Sequence, residues 1–181
     1  DKIILGFTNA IHADPAKTIF SGNPVRSEIA QIDLPQQRFY GREGRLNILV
    51  IGGSLGAQVL NTVVPEALKS MAEQHRPFIV HQVGDRHLDT ARQRYADLQV
   101  RGEVLAFIEN MAERYAACDL VLCRAGALTI AELSAAGVAS ILVPYPHAVD
   151  DHQTSNALFL ARAGAAILVP QQEFTAQKLT E

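Results

Sequence analysis

The chain lacks a stripe of lysine and arginine, is poor in aromatics and cysteine, and has no apolar run long enough to cross a bilayer. Each shortage removes a class of function. Its 16 basic residues against 19 acidic ones leave a formal net charge of −3, and no basic cluster is present to track a phosphate backbone. Nucleic acid is therefore not expected as a partner. Aromatics at 6% within a hydrophobic content of 48% are ordinary for a soluble α/β protein. Cys118 and Cys123 are too few for a disulfide framework and wrongly spaced for a zinc knuckle. Buried, reduced thiols of a cytosolic protein are expected instead. The longest uncharged run, Leu133 to Val149, falls short of the roughly 18 to 20 residues of a membrane span and is interrupted by Gly137, Pro144, Pro146 and His147. No signal peptide is visible at Asp1, and the absence of an initiating Met leads us to expect a piece of something longer, whose address lies elsewhere.

What is present is the alternation of a parallel α/β sheet. A length of 181 residues suits one domain, or one domain with a fragment attached, and is enough for a self-standing core. From Leu46 onward, short β-branched runs alternate with amphipathic stretches, the pattern of βαβ units covered on both faces. Strands are expected at Asn47–Ile51, Phe78–Gln82, Glu103–Phe107, Asp119–Cys123, Ala139–Val143 and Ala166–Val169. Helices are expected at about Ala57–Gln74, Arg86–Leu98, Met111–Ala117, Thr129–Ala136 and Gln153–Ala163. This predicts a doubly wound, six-stranded parallel Rossmann-like sheet over residues 46–181. Ligands on such sheets sit at the carboxyl ends of the strands, so the loops after Ile51, Phe107, Cys123 and Val143 should converge on one crevice. Ahead of Leu46, a short strand at Lys17–Ser21, the turn Gly22-Asn23-Pro24 and a brief helix near Ser27–Gln31 lead into a polar stretch, Leu34–Arg45. That stretch reads as a linker. Residues 1–33 are accordingly expected to be the tail of a preceding domain and the start of that linker. Glu181 falls inside an expected helix, so a closing segment is expected beyond it.

The segment Arg124-Ala125-Gly126-Ala127-Leu128-Thr129-Ile130-Ala131-Glu132 runs off a strand into a helix. Small residues there let a ligand approach the backbone, and the first N–H groups of a helix point outward at its positive end. One turn on, Glu132 can accept hydrogen bonds from a vicinal diol such as ribose. Together these groups suit a nucleotide-sugar or dinucleotide diphosphate. Thr129-x-x-Glu132 is equally a capping-box pattern, with a purely structural meaning. A second loop, Gly52-Gly53-Ser54-Leu55-Gly56-Ala57-Gln58, is placed as a phosphate-approach loop should be, with glycines free to adopt positive φ and Ser54 able to cap a helix or touch a ligand. No Gly-Lys-Ser/Thr follows, which excludes a Walker loop. The second strand ends Val80-His81-Gln82-Val83-Gly84 without the acid that holds a dinucleotide ribose, which argues against NAD. The loop Pro144 to Asn156 is dense in Asp, Asn, Gln and His, the residues of carbohydrate sites. A metal reading of His147, Asp150, Asp151 and His152 matches no compact ligand motif. In Phe107-Ile108-Glu109-Asn110-Met111, an apolar residue at a strand end can cover a flat base while its backbone reads the base edge, or can simply be core. His12, His75 and His87 read as surface residues.

Five motifs in this order resemble the C-terminal half of the GT-B glycosyltransferases that transfer N-acetylglucosamine in peptidoglycan synthesis. They are Gly22-Asn23-Pro24-Val25-Arg26, Gly52 to Ala57, Phe107 to Met111, Cys123 to Glu132, and Asp151-His152-Gln153 with Asn156. The resemblance covers essentially the whole chain and implies that this half binds UDP-N-acetylglucosamine. It implies Ile108 against uracil through its backbone, Glu132 on the ribose, and the helix start at Ala127, Leu128, Thr129, Ile130 and Ala131 facing the diphosphate. Gly52, Gly53 and Gly56 would form the phosphate loop, with Ser54 and Arg26 by the phosphates and Gln153 and Asn156 on the sugar. His152 stands where some relatives carry a second Gln, which puts its sugar contact in doubt. No metal and no cofactor is implied. The implied acceptor is lipid I, bound with the catalytic base and the membrane-facing surface in a separate N-terminal half, at the cytoplasmic face of the bacterial inner membrane. By this reading no catalytic residue lies in the present chain. Other UDP-sugar enzymes of the superfamily, a lipid glycosyltransferase or an epimerase, and a non-catalytic nucleotide-sugar-binding subunit carry similar donor halves.

Overall fold

The structure is a computed structural model that describes residues 1–7, 14–53, 57–146, 148 and 151–181. Its body is one sheet of six parallel strands: β3 (Asn47–Ile51), β4 (Phe78–Gln82), β5 (Glu103–Leu105), β6 (Leu120–Cys123), β7 (Ala139–Leu142) and β8 (Ala166–Leu168). They lie in the order β5-β4-β3-β6-β7-β8. The winding reverses between β3 and β6, which pair in register from Ile48 opposite Leu120 to Ile51 opposite Cys123. The runs Leu49-Val50-Ile51 and Val121-Leu122-Cys123 are buried at every position because parallel strands carry helices on both faces.

Alternate residues of these strands feed two separate cores. Leu49, Ile51, Val121 and Cys123 pack with Ile29 of α1 (Ser27–Ala30), Tyr115 of α5 (Met111–Ala117), Ile130 and Leu133 of α6 (Ala127–Ala136), and Leu160 of α7 (His152–Arg162). Val50 and Leu122 face the other way, toward Leu60 and Val64 of α3 (Gln58–Ser70) and Tyr95 of α4 (Leu88–Asp97). The expected sheet, strand for strand, is the one observed. The strands other than β3 and β4 fall one or two residues inside their expected limits.

The segment before the sheet forms its own two-stranded parallel ribbon, β1 (Ile3–Leu5) with β2 (Thr18–Phe20). The polar stretch 34–45 contains a helical turn, α2 (Pro35–Arg38), and is tied to the sheet domain by arginines. Arg38 donates to the carbonyls of Tyr115 and Ala136, at 3.1 and 2.6 Å, and so caps the C-terminal ends of α5 and α6, where a cation is favoured. Arg42 pairs with Asp119 at 2.7 Å. Gly137 ends α6 with φ of +60°, and a Cβ there would lie 2.8 Å from Pro35, so the turn needs glycine on two counts. A short polar helix, α8 (Ala176–Thr180), closes the described chain and packs on α3.

Candidate functional site

At the carboxyl ends of β3 and β6, where the winding reverses, lies a crevice of about 890 Å³. Open α/β sheets place ligands at this position. Its walls are Gly52 and Gly53 after β3, Arg124 and Gly126 after β6, Tyr145 after β7, the first turn of α3, and Gln153 and Gln171. Three of the four loops expected to meet do so. The loop after β5 does not line the crevice, because β5 is the outermost strand on its side and ends at Leu105. Phe107 stands exposed beyond that strand end, and the Ile108 side chain is buried in the core that holds Tyr115 and Ile130.

Two helix mouths border the crevice. Gly126 is the N-cap of α6, and the first amide to bond back is that of Ile130, onto the Gly126 carbonyl at 2.9 Å. The N–H groups of Ala127, Leu128 and Thr129 are thus the orphan donors of a ten-residue helix. In α3 the first returning bond among the described residues is Asn61 onto Ala57 at 3.0 Å, so the mouth of this helix faces the same crevice through Ala57, Gln58 and Val59. Gly53 supports the approach between them with φ of +80°, and among the described residues beyond its chain neighbours no atom stands within 4 Å of where a Cβ would be. Ser54 and Gly56 of this loop lie outside the described residues.

The start of α6 excludes the capping-box reading of Thr129-x-x-Glu132. A capping box requires Thr129 to be the N-cap, whereas the helix begins two residues earlier and no side chain caps it. Thr129 is the third helical residue and lines the crevice, while Ile130 points wholly into the core. Glu132 lies a turn further along, outside the crevice wall. Its Oε1 pairs with Arg26 at 3.0 Å, and its Oε2 accepts from the Tyr115 hydroxyl at 3.2 Å. Arg26 therefore sits on the carboxylate here rather than over the helix mouths. Tyr115 carries no motif and is 17 residues from Glu132, so nothing in the sequence joins the two.

The far wall is built around Arg124. Its guanidinium donates to the carbonyls of Val143 and Pro144 at 3.0 and 3.1 Å, and to Gln171 Oε1 at 2.6 Å. It also lies 5.4 Å from the ring of Tyr145. Half burial holds its pKa below the usual arginine value, and the group remains a cation facing the crevice. Gln153 is oriented by its own Oε1, which accepts from the backbone N–H of Ala125 at 3.3 Å and of Tyr145 at 3.0 Å. Its amide nitrogen is left to donate. Asn156 is buried and donates to the Ala125 carbonyl at 3.0 Å, bracing the turn that enters α6. Asp151 is the N-cap of α7 in a left-handed conformation, φ +51°, and accepts from Thr154 at 2.7 Å. His147 and Asp150 of the same loop, and His12, fall outside the described residues. Gln82, where a dinucleotide site would carry its acid, is buried, and its Oε1 has no partner among the described residues.

Both cysteines are buried and free, and burial pushes each thiol up to about 12, as befits inert core residues. No described helix is long and apolar enough to cross a membrane.

Comparison with known proteins agrees with this architecture. The family model described as "Glycosyltransferase family 28 C-terminal domain" matches residues 47–181. Among curated relatives, the UDP-N-acetylglucosamine--N-acetylmuramyl-(pentapeptide) pyrophosphoryl-undecaprenol N-acetylglucosamine transferase of Nitrosomonas europaea is 59% identical over 181 residues, which is 100% of this chain and 51% of that protein. The protein of the same name from Cupriavidus metallidurans is 50% identical over 181 residues, 100% of this chain and 50% of its own length. The chain spans about half the length of these relatives. A crystal structure of Acinetobacter baumannii MurG superposes with a TM-score of 0.77 at 42% identity, over 93% of this chain and 48% of that one. A kitacinnamycin glycotransferase, at 21% identity and a TM-score of 0.63 over 92% of this chain and 40% of its own, shares the fold. A six-stranded parallel sheet wound in this order, with a match running from Asn47 to the last residue, makes the chain a member of glycosyltransferase family 28, built as the C-terminal domain of a GT-B enzyme.

Proposed function

We propose that this chain is the donor-binding half of an inverting glycosyltransferase that moves N-acetylglucosamine from UDP-N-acetylglucosamine to lipid I, giving lipid II in peptidoglycan synthesis. The observation that carries the reading is the crevice between the mouths of α3 and α6, with a carboxylate one turn inside the second helix. The diphosphate lies against the free N–H groups of Ala127, Leu128 and Thr129 and over the loop Gly52, Gly53, Ser54 and Gly56. Glu132 takes the ribose hydroxyls, and the backbone at Ile108 meets the uracil. Gln153 donates its amide to the sugar, with Asn156 shaping the turn behind it. Arg26 leaves Glu132 for the phosphates as the ribose arrives.

Displacing UDP from the anomeric carbon loads two phosphates with negative charge. Preorganised N–H groups in a low-dielectric crevice stabilise that charge without reorganising, and this is the main contribution to catalysis that the donor half can make. Removing the proton from the acceptor hydroxyl requires a positioned base. That base, the lipid I site and the contact with the cytoplasmic face of the inner membrane belong to a separate N-terminal half. Two relatives of twice this length that carry the transferase name support this division.

The chain is accordingly expected to bind UDP and UDP-N-acetylglucosamine weakly and to turn over neither. Titration calorimetry with both ligands, alongside an assay for released UDP, tests this. Absence of heat up to millimolar UDP defeats the binding claim, and turnover by this chain defeats the division of labour.

A further inference from the structure

Glu132 has two partners of opposite character. Arg26 comes from the turn ahead of α1 with 48% of its side chain exposed, so its pair with Oε1 is screened and exchangeable. Tyr115 reaches Oε2 from α5 with its ring 1% exposed, in the cluster that also holds Ile29, Ile130 and Leu133. A ring so enclosed cannot follow a moving carboxylate, so the carboxylate must settle where the hydroxyl is. Burial and the neighbouring Glu132 charge both push the phenol up, so it keeps its proton and acts toward the carboxylate only as a donor.

An ionised carboxylate offers about four acceptor positions on two oxygens. Tyr115 occupies one on Oε2 and Arg26 one on Oε1, and a vicinal diol needs one on each oxygen in a common plane. We propose that Tyr115 is a positioning residue for ribose recognition: its hydroxyl fixes the plane in which Glu132 presents the remaining position on each oxygen. This rests on the reading of Glu132 as the ribose acceptor. It makes the choice between ribo- and deoxyribonucleotides depend on a residue that never touches the ligand.

The test is calorimetry with UDP and 2′-deoxy-UDP on the wild-type chain, Tyr115→Phe and Glu132→Ala, with a thermal melt of each. Phe fills the same space without the hydroxyl. Expected is a loss of UDP affinity of roughly 10-fold in Y115F, the size of one charge-assisted hydrogen bond. 2′-Deoxy-UDP should change by less than about twofold, since it cannot use the full geometry. Equal weakening of both ligands, or no change in either, overturns the positioning role. A wild-type chain with no preference for UDP over 2′-deoxy-UDP, and no effect of E132A, overturns the ribose reading itself, a pattern distinct from the first two.

Discussion

Glu132 is fastened by Tyr115 and Arg26 and takes no part in capping helix α6, whose N-cap is Gly126. Removing its carboxylate should therefore separate binding from folding. Glu132→Ala is expected to weaken UDP binding by about 1–3 kcal/mol, the range for hydrogen-bonding groups left unpaired. It should lower stability by about 1–2 kcal/mol, because the Arg26 pair is half exposed and the loss is chiefly that of the acceptor for the Tyr115 hydroxyl. Calorimetry beside a urea melt decides. A large fall in stability with unchanged affinity returns Glu132 to a structural role. The position of Glu132 is legible in the sequence because local spacing from the strand end fixes which helical turn it occupies. Its partners are not, because Arg26 and Tyr115 reach it through tertiary packing of α1 and α5, and separation along the chain carries no signal for that.

Elements show the same division between local and long-range information. β3 and β4 are readable to the residue, since the apolar runs Ile48-Leu49-Val50-Ile51 and Phe78-Ile79-Val80, set between turn signals, admit few alternatives. The start of α6 reads two residues late because Thr129 with Glu132 imitates a cap, while the residue that serves as N-cap is a glycine with no side chain to advertise it. The polar stretch 34–45 has the composition of a linker, yet its arginines find carbonyls at two helix ends, a fit that composition cannot express. Arg124 is the equivalent case within the site. Lying in the recognisable motif, it clamps the loop after β7 to the segment holding Gln171, 47 residues away. Arg124→Met keeps the apolar stem and removes the donors. Two backbone carbonyls and the Gln171 side chain then lose a charged partner, an expected cost of about 2–3 kcal/mol. At about 2–4 °C per kcal/mol for a domain of this size, differential scanning calorimetry should show a fall of at least several degrees. An unchanged melting temperature would mean that the clamp is not what holds this wall of the crevice.

Across the whole molecule, the six-strand alternation in the sequence carries through to the sheet, because it is a sum over many residues and tolerates local error. What such sums hide is a single ionisable group placed in the middle of the sheet. His81 on β4 is fully buried, its Nδ1 is 3.0 Å from the Tyr95 hydroxyl, and its Nε2 has no partner among the described residues. Burial lowers its pKa to about 3, so the folded protein keeps a neutral imidazole throughout the mildly acid range. The unfolded chain, with an ordinary histidine pKa near 6.5, takes up the proton that the native state refuses. Stability from this site is therefore complete above about pH 6.5 and drains away as pH falls toward about 3, at close to 1.4 kcal/mol per pH unit once well below 6.5. Replacing both partners, in a His81→Phe/Tyr95→Phe double variant, removes the titration without orphaning the phenol. Urea unfolding of both proteins from pH 7 to pH 4 isolates the contribution of His81, since the carboxylates common to both cancel in the difference. The wild type should lose stability relative to the double variant by about 1 kcal/mol or more for each unit below pH 6. Parallel profiles would show that His81 is protonated in the folded sheet and has found a partner there.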